Sequence, residues 1–248
     1  MKLPFLMYHS VSPEVYVHRR PASYRLSPEA FEQHLIQLRQ EGFSTVGLEQ
    51  FLGAREGLSE LPARPVVITF DDGYLDNFIF AWPRLRDYGF RACFFITVST
   101  LGEEGMMNTD QIRRLIEEGN EIGSHGLNHD LLAGKNRMQL QAELTGSKTI
   151  LSRSLGTEVR FFSLPRGYQP LGFSRLVRQA GYRAMCTSTV GYNSLRTDPF
   201  RWKRFPVRTG WNISHFQAVI NRRGLRLGEI IVQEAIREGW RWRHFFKT

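Results

Sequence analysis

The run Pro65-Val66-Val67-Ile68-Thr69-Phe70 ends in Asp71-Asp72-Gly73. A short apolar, β-branched stretch without polar alternation reads as a strand buried on both faces, which requires a sheet covered by other elements. Two adjacent carboxylates at the end of such a strand are costly to bury unless a cation neutralises them. The glycine that follows lets the chain turn sharply. A divalent metal is the simplest cation, and the rest of the chain must then supply its other ligands.

The same strand-then-helix pattern recurs along the chain. Strands are expected at 3–7, 43–46, 91–98, 121–124, 159–164 and 182–187 beside the central one. Helices are expected from Ser27-Pro28-Glu29 to Gly42, at 48–52, at 75–87 with a kink at Pro83, from the Asn108 cap to Gly119, and at 138–155, 173–180, 213–221 and 229–239. Six or seven repeats of this order imply an α/β fold with a parallel sheet and crossover helices. The chemically distinctive residues all follow strands: His9, Asp71-Asp72, His125 and Pro165-Arg166-Gly167. In a (β/α) barrel that edge is the C-terminal face, where active sites sit. An open doubly wound sheet shares the feature, and no glycine-rich dinucleotide fingerprint is present.

A chain of 248 residues with 42% hydrophobic and 23% charged residues is expected to form one domain over 1–248. Cys93 and Cys186 lie in apolar runs and are expected to be buried strand thiols. The formal net charge of +9 is concentrated in the last fifty residues. It is either a solvated basic face or a surface for an anionic partner. The 239–248 tail, Gly239-Trp240-Arg241-Trp242-Arg243-His244-Phe245-Phe246-Lys247-Thr248, interleaves aromatics with cations, which suits peripheral contact with a lipid interface. No nucleic-acid motif accompanies the charge, which argues against that partner. The apolar run after Lys2 is too short for a signal-peptide core, and no stretch approaches the ~18–20 apolar residues of a spanning helix. The expectation is a soluble protein, cytoplasmic or peripheral to the inner face of the membrane.

His125-Gly126-Leu127-Asn128-His129 supplies the missing ligands. Two histidines four apart share a face if the segment is helical and can chelate one ion. With Asp72 they make a two-imidazole, one-carboxylate set that suits Zn²⁺; Co²⁺, Ni²⁺ or Mn²⁺ would also fit. One aspartate of the pair must bind the metal. The other is free to act as a base towards an attacking water, or to cap the following helix.

Thr69-Phe70-Asp71-Asp72-Gly73 followed by Ser124-His125-x3-His129 resembles the polysaccharide deacetylase family, also called carbohydrate esterase family 4 or the NodB homology domain. The likeness covers roughly 61–205, with the first strand at 3–9 contributing to the site. It implies a distorted (β/α) barrel of about seven parallel strands and metal-dependent removal of N-acetyl groups from amino sugars. It implies Asp71 as the base and Asp72, His125 and His129 as metal ligands.

Two departures from the family pattern matter. The third motif corresponds to Phe162-Ser163-Leu164-Pro165-Arg166-Gly167. Ser163 stands where an arginine usually holds the base, and Arg166 stands at the aromatic whose backbone N–H usually helps form the oxyanion hole. Pro165, Arg166 and Tyr8 are therefore expected near the oxyanion or substrate; the Arg166 side chain either lines the groove or faces solvent. Arg204 is the expected replacement partner for the base, with a surface arginine as the alternative. The second departure is the general acid, because no histidine occurs in Gly228-Glu229-Ile230-Ile231-Val232. Leu6-Met7-Tyr8-His9-Ser10 instead resembles the N-terminal motif of the circularly permuted, poly-N-acetylglucosamine deacetylase-like branch. That implies His9 as the acid, on a last strand moved to the front of the chain; a core histidine is the alternative.

The leading expectation is an N-deacetylase acting on an amino-sugar glycan or lipid-linked glycan and releasing acetate. A deformylase or amidohydrolase on a small N-acyl compound would keep the chemistry and change the substrate. Ser163 and the missing C-terminal histidine leave room for a third reading, a metal-bearing glycan-binding module without turnover.

Overall fold

The buried run that ends in the aspartate pair is an interior strand of the sheet, paired on both sides. A computed structural model of the chain describes residues 1–13 and 22–223, together with Gly228, Ile230 and Val232. Most of the expected helix at 229–239, and all of the tail at 239–248, lie outside the described residues. In chain order, β1 (Phe5–Tyr8) and β2 (Ser10–Val11) lead to β3 (Arg25–Leu26), α1 (Pro28–Gln40), β4 (Ser44–Thr45) and α2 (Leu48–Glu56). Then follow β5 (Pro65–Phe70), a π turn at Asn77–Ala81 that runs into α3 (Trp82–Asp87), β6 (Cys93–Ile96), α4 (Thr109–Glu117) and β7 (Glu121–Ser124). The described chain continues with α5 (Arg137–Leu155), β8 (Phe161–Ser163), α6 (Phe173–Gln179), β9 (Ala184–Cys186), β10 (Phe205–Pro206) and α7 (Ile213–Asn221).

Local chemistry sets most of these boundaries. Ser27 caps α1 by accepting from the Ala30 N–H, with Pro28 at the first helical position. Asn108 and Gln111 close a capping box on α4. A second box, Asn136 with Gln139, starts α5 and was not anticipated. The kink expected at Pro83 is a π turn just before it. Proline has no N–H for the carbonyl four residues back, so the ladder changes register before reaching it. The helix at 48–52 runs on to Glu56, through Gly53, and ends at Gly57 in the left-handed region.

All ladders named here are parallel, in the order β10-β1-β5-β6-β7-β8-β9, with β4 beside the first residues of β5. The ring closes through the segment ahead of β10: Trp202 makes a parallel bridge to Cys186, and Phe205 pairs with Leu6. The result is a distorted (β/α) barrel of seven parallel strands. Because side chains alternate along a strand, the two faces of the sheet separate cleanly. Leu6, Tyr8, Val66, Ile68 and Phe70 point outward and pack against the helices, α1 among them. Phe5, Val67, Cys93, Phe95, Phe161, Cys186 and Trp202 share a second cluster that plugs the ring. Cys93 and Cys186 are buried free thiols. Burial pushes the Cys93 thiol well above its ordinary value and the Cys186 thiol up to about 12. Among the described residues no helix is long and apolar enough to cross a membrane.

Candidate active site

Above the apolar plug the inward positions become polar. Thr69 and Asp71 continue the inward face of β5, Ser163 ends β8, and Arg204 enters from the segment that closes the ring. Arg204 is fully buried. Its Nε donates to the Thr187 carbonyl at 3.0 Å. Nη1 donates to Asp71 Oδ1 at 2.7 Å and to Thr69 Oγ at 3.2 Å. Nη2 donates to Asp71 Oδ2 at 2.8 Å and to Ser163 Oγ at 2.8 Å. Ser163 in turn donates to the Asp71 carboxylate, at 3.2 Å to Oδ2. Asp71 is thus gripped in a two-pronged pair by a guanidinium whose five donors are all used. Burial alone would raise the Asp71 carboxyl. The charge of Arg204 and its hydrogen bonds outweigh it and hold the group well below the usual carboxylate range.

β5 ends at Phe70, and the chain reverses through Asp72 (φ 81°) and Gly73 (φ 89°). A side chain at 73 would be strained by that φ and would meet Ile96 Cδ1 at 3.2 Å. The turn aims Asp72 away from Arg204 and towards the end of β7. There Asp72 Oδ1 lies 3.4 Å from His125 Nε2 and 3.3 Å from His129 Nε2. One ligand atom from each of Asp72, His125 and His129 lies within 4.8 Å of the others. The segment 125–129 is not helical, contrary to the condition under which the histidines were expected to share a face. Gly126 (φ 83°) and His129 (φ 55°) fold it into a loop that brings the two rings together. Glu143 on α5 holds this loop by accepting from the Leu127 N–H at 2.8 Å and from Asn128 Nδ2 at 3.3 Å.

The donor set fits a tetrahedral metal. Two ligand atoms that each sit ~2.1 Å from one ion lie about 3.4 Å apart, which matches both Asp72–histidine separations. His125 Nδ1 donates to the Ser163 carbonyl at 2.9 Å, which leaves Nε2 with its lone pair facing Asp72.

His9 follows β1 and is buried. It lies close enough for its charge to help lower the Asp71 carboxyl, and its ring packs on Tyr24 with centroids 4.5 Å apart. Arg166 adopts φ 57°, and its exposed side chain leans onto the His129 carbonyl, Nε to oxygen 3.3 Å. Pro165 is buried beneath the same loop, its Cγ 3.4 Å from where a β-carbon on Gly126 would stand. Tyr8 departs from its expected place near the substrate. It lies on the outward face of β1, its hydroxyl 3.2 Å from His34 Nδ1 and its ring against Phe31 of α1. The alternation that points His9 to one side of the strand sends its neighbour to the other. Asp76, Asn77 and Glu143 were not singled out from the sequence. Their only signal is polarity at positions that turn out buried: 1%, 0% and 4% exposed.

Comparison with known proteins bears on the family of the chain. The sequence model of a family described as polysaccharide deacetylase matches residues 59–185. YxkH of Bacillus subtilis (strain 168) is 29% identical over 219 residues, covering 88% of this chain and 76% of that protein. A poly-β-1,6-N-acetyl-D-glucosamine N-deacetylase of Staphylococcus aureus (strain N315) is 26% identical over 197 residues, 72% of this chain and 64% of its own length. In fold, the Streptococcus pyogenes deacetylase PplD superposes with a TM-score of 0.80 at 21% identity, covering 89% of this chain and 98% of that one. IcaB from Ammonifex degensii gives 0.74 at 24% identity, covering 89% and 96%. With over half its length matched by the family's own pattern, on a barrel of the same shape, the chain belongs to the polysaccharide deacetylase family.

Proposed function

We propose that the protein is a metal-dependent N-deacetylase that hydrolyses the N-acetyl groups of an amino-sugar glycan and releases acetate, with 1–248 acting as one domain. The observation that carries this reading is the division of labour between two adjacent aspartates. Asp71 is locked to Arg204, while Asp72 faces two histidines at metal-ligand spacing. The Staphylococcus aureus relative, named for an N-acetylglucosamine polymer, supports the substrate class.

Asp72, His125 and His129 hold the divalent ion, for which Zn²⁺ suits the ligands best. When bound, the ion lowers the pKa of water and polarises the acetyl carbonyl. Asp71, kept ionised by Arg204, accepts the proton of the attacking water. His9 gives a proton to the sugar nitrogen as the C–N bond breaks, so that the amine leaves neutral. Arg166, at the rim beside His129, is placed to meet the substrate. The non-catalytic reading rested on Ser163 in place of an arginine and on the missing C-terminal histidine; Arg204 supplies the cation from elsewhere in the chain, and this proposal gives the histidine's role to His9. Lipid contact through 239–248 is part of the proposal on composition alone. Vesicle flotation with anionic lipid, with and without those residues, tests it.

The deciding experiment loads the protein with Zn²⁺ or Co²⁺, supplies N-acetylglucosamine oligomers and measures acetate. Asp71→Asn and His9→Ala are expected to lower turnover by about 10²- to 10⁴-fold with the metal still bound. Asp72→Ala, His125→Ala and His129→Ala are expected to lose metal and turnover together. Full turnover by Asp71→Asn would overturn the mechanism.

A further inference from the structure

β1 and β5 run side by side until Tyr8 pairs with Phe70, and the last backbone bond between them is Asp71 N–H to the Tyr8 carbonyl at 3.0 Å. There β5 turns away through Asp72 and Gly73, while the first strand goes on through His9 into β2. The backbone of 9–11 therefore leaves its neighbour at the residue that enters the site. Two side chains from the start of the next helix take the neighbour's place. Asn77 Nδ2 donates to the His9 carbonyl at 2.7 Å. Asp76 Oδ1 accepts from the Val11 N–H at 3.2 Å, and Asp76 Oδ2 accepts from the Ser10 hydroxyl at 2.5 Å. Asn77 Nδ2 also donates to Asp76 Oδ1 at 2.7 Å, which ties the two together.

We infer that Asp76 and Asn77 are positioning residues that fix the His9 imidazole over the reacting centre, a reading that rests on His9 being the acid. These bonds to the first strand fall on the backbone of residues 9 and 11 and the side chain of Ser10, so they set the direction in which His9 leaves the strand. Tyr24 closes on the imidazole itself. Asn77 opens a π turn, an irregularity that recurs at functional sites, and both residues are buried where an ordinary helix start is hydrated. A carboxylate with a backbone N–H and a hydroxyl donating to it is a stiff support.

The test uses two substrates on the metal-loaded protein. An amide of an amino sugar needs its nitrogen protonated as it departs, whereas 4-nitrophenyl acetate releases a phenolate that needs no proton. Both use the same base and ion. Asn77→Leu, which keeps the shape and removes the donor, is expected to lower kcat on N-acetylglucosamine oligomers by about 10- to 100-fold with KM little changed, while ester turnover falls by less than about threefold. Ser10→Ala removes a single hydroxyl and is expected to show the same separation at smaller size, so it serves if Asn77→Leu does not fold. Equal losses on both substrates, or no loss on either, in a variant that binds one metal would overturn the inference. His9→Ala in the same assay separates the two possible failures. If His9→Ala spares the ester and the clamp variants do not, the clamp is wrong and the acid stands. If His9→Ala fails to spare the ester, the assignment of the acid falls and the clamp falls with it.

Discussion

Arg204 is the residue on which the buried charge of the site depends. Its distance in sequence from Ser163, 41 residues, shows how the third-motif arginine can be lost without losing the cation. The sequence around 202–206 offers both Lys203 and Arg204, and alternation along the segment decides between them. Trp202 is in the inner cluster and Phe205 in the outer one, so 204 faces inward. That parity is readable only once the segment is known to close the ring, which is why sequence alone left a surface arginine as an alternative. The pair predicts a clear energetic signature. Removing one member of a buried ion pair strands the other, at a cost of about 3–5 kcal/mol, whereas removing both costs far less. Arg204→Met should be destabilised by that amount in chemical denaturation with a chelator present. Asp71→Asn combined with Arg204→Met should recover much of it. A double variant no more stable than Arg204→Met would mean that Asp71 is not the group Arg204 neutralises.

The loop at 125–129 and helix α5 form the next level of organisation. The two histidines stood out in the sequence as a candidate pair, on a helical-face argument that the loop does not follow. The conformation that joins them was not, because it depends on a left-handed residue at His129 that no spacing rule reveals. Nor did the sequence mark Glu143, which looks like any acid on an amphipathic helix. In the fold it reaches back 16 residues to take the Leu127 N–H and secures the loop from below. Gly146, one turn further on, lets the helix approach the loop, since a β-carbon there would stand 2.9 Å from Leu127 Cδ1. Supports of this kind behind metal ligands typically change affinity by about 10- to 100-fold. Glu143→Leu should therefore weaken Zn²⁺ binding by at least about tenfold in a competition titration, with the helical circular dichroism unchanged. Unaltered affinity would show that the loop holds its shape without α5.

At the scale of the whole molecule, the strand and helix order pointed to a parallel sheet with crossover helices, and the family resemblance, not that order, singled out a barrel over an open sheet. Ring closure was not legible, because it uses Trp202 and the two-residue β10, too short to carry a periodic signal. A second hidden feature is His34, which sequence gave no role. It is buried on α1, hydrogen-bonds through Nδ1 with the Tyr8 hydroxyl, and stacks on Phe216 of α7 with centroids 4.0 Å apart. It thus joins the sheet to two helices and reports on global unfolding. Burial lowers its pKa from 6.5 to about 3. The unfolded chain therefore takes up a proton at this site as pH falls below about 6.5, and the folded chain does not until pH nears 3. The sign follows: stability present at neutral pH is lost progressively through that window, by about 1.4 kcal/mol per pH unit from this one group. His34→Phe keeps the stack and removes the proton site. It also leaves the Tyr8 hydroxyl without this hydrogen-bond partner, at a cost of about 1 kcal/mol at every pH, so the comparison must be of slopes. Between pH 6.5 and 5 the original chain should lose roughly 2 kcal/mol more unfolding free energy than His34→Phe. Urea titrations in chelator at a series of pH values measure this directly. Parallel slopes for the two proteins would place the acid sensitivity of the fold elsewhere than at the junction of α1, α7 and β1.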